Sequence, residues 1–160
     1  MTSTHNRLLA LLDKYQINYR IVEHIHEGRS EEISKIRGNH PDQAMKAIVT
    51  SVRGGGGGKR YFLAILPGIR KLDMKALCRA VGAQKGRFSP EDEATEMAGC
   101  MMGAVPPFSF REDMPVIVDP ACKNNEEVVF NAGRLDRSIF MAFADYDRIV
   151  RPTYADISFS

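Results

Sequence analysis

Two apolar runs of strand length, residues 44–52 and 60–66, are separated by five consecutive glycines, Gly54 to Gly58. Strands joined by so short and pliant a link pair as neighbours, so the pattern predicts an antiparallel hairpin. The glycines also invite a phosphate-loop reading, which fails. A P-loop needs Gly, four residues, then Gly-Lys-Ser/Thr opening a helix, because backbone N–H groups must cradle phosphates at the helix start. Counting back from Gly58-Lys59, the first position is Arg53, the hydroxyl position is Arg60, and a strand pattern follows. The dinucleotide frame fails as well, since its flanks are Arg53 and Lys59. The run reads as a mobile hairpin loop.

Helix signals surround this hairpin. Thr4 is placed to cap a helix whose Leu8, Leu11, Leu12 and Tyr15 fall on one stripe. Ile17, Tyr19 and Ile21 then alternate with polar residues, so the period switches to that of a strand. Gly28 and Ser30 open a second short helix with Glu31 and Glu32 in its first turn, closed by Gly38. Asp73 caps a helix through Val81 with Gly82 behind it. Ser89-Pro90-Glu91-Asp92 starts another that stops at Gly99. Strands are expected at Pro115 to Val118, Glu127 to Asn131 and Ser138 to Phe143, with a last short helix opening at Asp145. The chain is therefore read as α/β of the α+β type: a mixed, partly curled sheet surrounded by helices. Its 160 residues suit a single domain spanning 1–160.

Charge and cysteine content narrow the setting. Twenty-two Lys plus Arg against twenty Asp plus Glu leave a formal charge of +2. That argues against coating nucleic acid by charge alone, but not against a local contact with one end of it. Cys78, Cys100 and Cys122 are odd in number and lack metal-site spacing, so they read as ordinary thiols of a reducing compartment. Without a signal-length apolar stretch or a run approaching the ~20 apolar residues of a membrane span, a cytoplasmic protein with no membrane partner is expected.

Three features can carry chemistry. Lys46 sits in the apolar run 44–52, sharing a face with Ala44, Ile48, Thr50 and Val52 while Met45, Ala47 and Val49 line the other. Its ammonium is either partly desolvated and waiting for a ligand anion, or near enough the strand start to snorkel to water. Gly99-Cys-Met-Met-Gly103-Ala-Val-Pro-Pro107 forms a loop whose backbone could approach a ligand and offer free N–H groups, as oxyanion holes do. The alternative is a capped helix followed by a rigid turn. His24 and His26, two apart at a strand end, could line a pocket or, with a third ligand the sequence does not show, hold a metal. No Gly-x-Ser-x-Gly elbow is present.

The order and spacing of these pieces resemble the YbaK/ProX family of aminoacyl-tRNA deacylases, related to the editing domain inserted in bacterial prolyl-tRNA synthetases. The match runs from about Leu8 to Ile149. It takes in His26, Pro41-Asp42-Gln43-Ala44-Met45-Lys46, Leu72-Asp73-Met74-Lys75-Ala76-Leu77 with Gly82-Ala83, the Gly99 to Pro107 loop, Val128-Val129-Phe130-Asn131-Ala132-Gly133, and Ser138-Ile139. The resemblance implies hydrolysis in trans of the ester joining a small wrong amino acid (Ser, Ala, Thr or Cys) to the terminal adenosine of tRNA. It implies no metal and no cofactor. Lys46 would contact the substrate near the ester, with backbone groups at Gly103 and Ala104 stabilising the oxyanion. His24, His26, Met45, Gly99, Met102, Val105, Pro106, Asn131, Gly133 and Ser138 would bind substrate. The implied partners are the aminoacyl-tRNA acceptor end and, beyond it, a synthetase or elongation factor; the oligomeric state is left open. His24 stands where many members carry Tyr, Ser138 where many carry Asp, and Val105-Pro106-Pro107 lacks the usual hydroxyl; these departures concern the amino-acid pocket. Two rival readings are a non-catalytic tRNA- or synthetase-binding module on the same fold, and metal-dependent hydrolysis through His24 and His26.

Overall fold

The computed structural model describes residues 3–27 and 29–159. Helix α1 (Thr4–Lys14) is capped by Ser3, whose side chain accepts from the Asn6 N–H at 3.1 Å. The cap therefore lies one residue before the expected Thr4. Thr4 is buried instead, and its hydroxyl is within donating distance of Ala98 O and Gly99 O. Strand β1 (Tyr19–Glu23) follows, then α2 (Ser30–Arg37), which Gly38 closes in the left-handed region. The expected opening at Gly28 lies outside the described residues.

The hairpin is present: β2 (Met45–Arg53) and β3 (Arg60–Pro67) pair antiparallel from Met45↔Pro67 to Val52↔Arg60. Its glycine loop is more constrained than a floppy link. A Cβ on Gly55 would lie 1.8 Å from Gly82 O, so the loop packs closely over the end of the helix that Asp73 caps, α3 (Met74–Val81). Just before α3 lies β4 (Lys71–Leu72), and after it β5 (Lys85–Phe88), neither of them expected from sequence. Then come α4 (Glu91–Ala98), β6 (Val116–Val118), β7 (Glu127–Arg134) and β8 (Arg137–Ala142). Helix α5 (Phe143–Val150) starts two residues before the expected Asp145 and takes Phe143 from the strand. Two short strands, β9 (Thr153–Tyr154) and β10 (Ser158–Phe159), end the described chain.

The strands form a five-stranded mixed sheet in the order β5-β2-β3-β6-β9, a three-stranded antiparallel sheet β1-β8-β7, and the pair β10-β4. A parallel bridge, Ala44↔Val129, ties the start of β2 to β7. Strand β3 is buried on both faces, and the period of two distributes it between two cores. Leu63 and Ile65 join Leu8, Leu12, Phe130, Ile139 and Tyr146 between the sheets and α1 and α5. Ala64 and Leu66 join Leu72, Leu77, Ile117 and Ile157 on the other side. Cys78 and Cys122 are buried and Cys100 half-buried, all three as free thiols. Among the described residues, no helix is long and apolar enough to cross a membrane.

Candidate active site

Lys46 is the second residue of β2, opposite Leu66, next to the bridge that joins the two larger sheets. It is half-buried, and its ammonium donates to Gly68 O at 3.3 Å. Among the described residues it has no ion-pair partner, and burial, followed by the charge of Lys71, holds its pKa below the ordinary value of 10.5. Lys46 borders cavity space. With Ala47, Gly103 and Val105 it forms the wall shared by two cavities. One, of about 60 Å3, is completed by Arg37, Met45 and Asn131 among others. The other, of about 260 Å3, is completed by Ile48, Phe88, Ser89, Ala94 and Met102 among others. Among the described residues no acidic side chain lines either one.

The loop after Gly99 lies across this wall and is held from behind by β7. Asn131 Nδ2 donates to Gly103 O at 2.6 Å, and the Gly133 N–H donates to Ala104 O at 2.8 Å. Gly133 sits at a bulge between Asn131 and Arg134 with φ of 80°, where a Cβ would lie 2.8 Å from His5 N; only glycine fits so close to α1. The Ala104 N–H, expected as an oxyanion donor, is turned instead to Met101 O at 3.0 Å. Among the described residues the Gly103 N–H has no hydrogen-bond partner, and Gly103 is exposed in the cavity wall. One free backbone donor therefore stands beside Lys46 where two were expected.

Behind Asn131 lies a polar chain. Ser138, fully buried, donates to Asn131 Oδ1 at 3.0 Å, and His24 Nε2 lies 2.8 Å from Ser138 Oγ. His24 and Ser138 thus fix the loop through Asn131 without lining either cavity. His26 is exposed and lines neither. The two histidines do not act as a pair, and among the described residues no three His, Cys, Asp or Glu are gathered as a metal would need. Gly99 caps α4 and Pro106 is buried; with Gly133 they shape the loop from outside the cavities.

Sequence reading missed two residues. Arg37, at the end of α2, lines the smaller cavity. In sequence it is an ordinary last-turn cation before a capping glycine, and nothing local marks it. Ser89 lines the larger cavity, and its buried Oγ has no hydrogen-bond partner among the described residues. Its only sequence signal, Ser-Pro-Glu-Asp, was that of a helix start, yet Pro90 occupies the N-cap.

Both the sequence and the fold have known relatives. The sequence model of the aminoacyl-tRNA editing domain matches residues 25–149. The chain is 38% identical over 150 residues to the multifunctional Ser/Thr-tRNA deacylase ProXp-y of Escherichia coli K12, covering 93% of this chain and 89% of that protein. It is 25% identical over 148 residues to the prolyl-tRNA editing protein ProX of Acetoanaerobium sticklandii, covering 90% and 88%. Among solved structures, a candidate trans-editing enzyme for prolyl-tRNA synthetase superposes with a TM-score of 0.80 at 22% identity, covering 100% of this chain and 99% of the other. The hypothetical protein APE2540 superposes at 0.85 with 16% identity, covering 96% and 99%. Those two share the fold; the matched domain and the 38% identity establish more, and the chain belongs to the aminoacyl-tRNA editing domain family.

Proposed function

We propose that this protein is a trans-editing deacylase. It hydrolyses the ester that joins a small, wrongly attached amino acid to the terminal adenosine of a tRNA. The observation that carries this reading is the Lys46 ammonium, half-buried in a wall that, among the described residues, holds no carboxylate and includes a Gly103 N–H without a hydrogen-bond partner. Ester hydrolysis puts negative charge on the carbonyl oxygen in the transition state. A fixed ammonium and a fixed N–H in a partly dry cleft stabilise that charge without having to reorganise. Among the described residues Ser89 is the one hydroxyl in the larger cavity's wall, and no base is hydrogen-bonded to it. The attacking oxygen therefore comes from water or from the neighbouring ribose hydroxyl, and the chain supplies position and charge. The acyl C–O bond to the ribose breaks, leaving a free amino acid and a tRNA ready for recharging.

The larger cavity, at about 260 Å3 and mostly apolar, takes the amino-acid side. Ser, Thr, Ala and Cys fit such a space, and the name of the Escherichia coli relative supports Ser and Thr. The acceptor end is the partner this site needs. A synthetase or elongation factor would deliver the tRNA.

The test is amino-acid release from tRNAs mischarged with Ser, Thr, Ala or Cys, comparing the native protein with Lys46→Ala. The variant should keep its melting temperature within a few degrees and lose about 10²–10³-fold in kcat, the size of one lost oxyanion donor. Full turnover by folded Lys46→Ala would exclude this role for Lys46. Tight tRNA binding by the native protein with no release from any ester would point to a binding module.

A further inference from the structure

Among the described residues Arg37 has three hydrogen bonds and no counter-charge. Its Nε donates to Asn39 Oδ1 at 2.9 Å, and Nη1 donates to Ser138 Oγ at 3.1 Å and, at a long 3.4 Å, to Asn131 Oδ1. Every one of these acceptors is neutral. Among the described residues Arg37 forms no ion pair, whereas Arg111, Arg134 and Arg148 each reach an Asp within 3.2 Å. Its Nη2 has no hydrogen-bond partner among them either. Burial brings the guanidinium's pKa down to about 10, so the group is still charged at neutral pH, and among the described residues no carboxylate raises that pKa again. A half-buried cation without an anion is costly unless hydrogen bonds or a ligand anion offset the lost hydration. Lys46, in the same cavity wall, likewise has only a carbonyl for company. The smaller cavity is thus a doubly cationic recess awaiting an anion.

Its size says which kind. At about 60 Å3 it is far below the roughly 300–1,000 Å3 of pockets that enclose a whole small molecule, yet roomy enough for one tetrahedral oxyanion. The substrate's own chemistry narrows the choice. The amino acid offers an ammonium, which two cations repel, and its carboxyl group is tied up in the ester. The stable anions in an aminoacyl-tRNA are its phosphates, and the 5′-phosphate of the terminal adenosine is one ribose away from the ester assigned to Lys46.

We propose that Arg37 forms a phosphate subsite that holds the 5′-phosphate of the terminal adenosine, and so sets the ester against Lys46 and Gly103. The planar guanidinium suits a phosphodiester: Asn39 takes Nε, Ser138 takes Nη1, and the two N–H bonds of Nη2 are left for the ligand. This inference rests on the deacylase reading.

The experiment is competition against Ser-tRNA deacylation by adenosine and by adenosine 5′-methylphosphate, a mimic of the diester. In the native protein the phosphate compound should inhibit about tenfold more strongly than adenosine, the advantage of a charge-assisted hydrogen bond. Arg37→Gln should remove that advantage while inhibition by adenosine stays within about twofold, and Arg37→Lys should keep part of it. Equal inhibition of the native protein by the two compounds, or none by either, overturns the subsite without any variant. Arg37→Gln weakening both compounds alike would also overturn it, showing that Arg37 only positions the loop through Ser138 and Asn131. Absence of any deacylation by the native protein would instead bring down the deacylase reading itself.

Discussion

At the scale of single residues, the site carries groups that would cost stability in a protein with nothing to bind. Lys46 keeps a partly desolvated ammonium whose only hydrogen-bond acceptor among the described residues is a carbonyl. Lys46→Met preserves the stem and removes the charge, so it should fold at least as stably as the native chain while losing deacylation. Urea unfolding with activity on Ser-tRNA checks both halves. The sign of the pH dependence follows from the lowered pKa. Between the folded value and the unfolded 10.5, the unfolded chain binds more protons, so the Lys46 contribution to stability rises with pH through that window. The catalytic charge is lost over the same interval. Deacylation, corrected for spontaneous ester hydrolysis, should therefore fall on the alkaline side at a pH below 10.5, and a limb at or above that value would contradict the assignment. Ser89 is the neutral counterpart: its buried, unpartnered hydroxyl carries a desolvation cost of about 1–3 kcal/mol. Ser89→Ala should raise unfolding stability by about 1 kcal/mol in urea titration, within that range.

At the scale of elements, the site depends on how β7 holds the 99–107 loop. Gly133→Ala places a Cβ 2.8 Å from the backbone nitrogen of His5 at a φ of 80°. Left-handed strain plus a backbone clash should cost about 2 kcal/mol or more in stability. Because the Gly133 N–H holds Ala104 O, kcat should fall beyond what the unfolded fraction explains, measured at a temperature where the variant is still folded. The same scale explains what the sequence disclosed. The hairpin β2–β3 and helices α3 and α4 are written in local chemistry: apolar runs around glycines, the Asp73 cap, and the closing Gly82 and Gly99. Lys46 stood out because a charge inside an apolar run is visible without a fold. Strand β5 was invisible because Lys85-Gly86-Arg87-Phe88 offers a single apolar side chain, and its pairing is imposed by β2. Arg37 was hidden for a related reason: its partners Asn131 and Ser138 lie 94 and 101 positions away, and only the approach of α2 to β7 and β8 buries it. The Ala104 N–H was misread because a loop's glycines and prolines show that donors can be free, while the turn to Met101 decides which one is.

At the scale of the whole molecule, a formal charge of +2 and a site with two unpaired cations set how tightly a tRNA can be held. Sequence-independent affinity for nucleic acid comes from phosphates neutralised, and each contact to a single strand contributes about −0.7 to the slope of log affinity against log salt. If the protein grips the acceptor end through Arg37 and at most one further phosphate contact, the slope for kcat/KM at low substrate should lie between about −0.7 and −1.4. Raising salt from about 50 to 200 mM would then lower kcat/KM by only about threefold to sevenfold, against the 10³- to 10⁵-fold seen when many phosphates are held. Arg37→Gln should make the slope shallower by about 0.7, whereas Lys46→Met, which removes a group assigned to the ester, should leave it nearly unchanged. Following native and Arg37→Gln initial rates on Ser-tRNA across a salt series is sufficient. A native slope steeper than about −3 would require a wide basic face that grips the body of the tRNA. A slope unaffected by Arg37→Gln would separate this arginine from the phosphate backbone, even if the loss of activity were large.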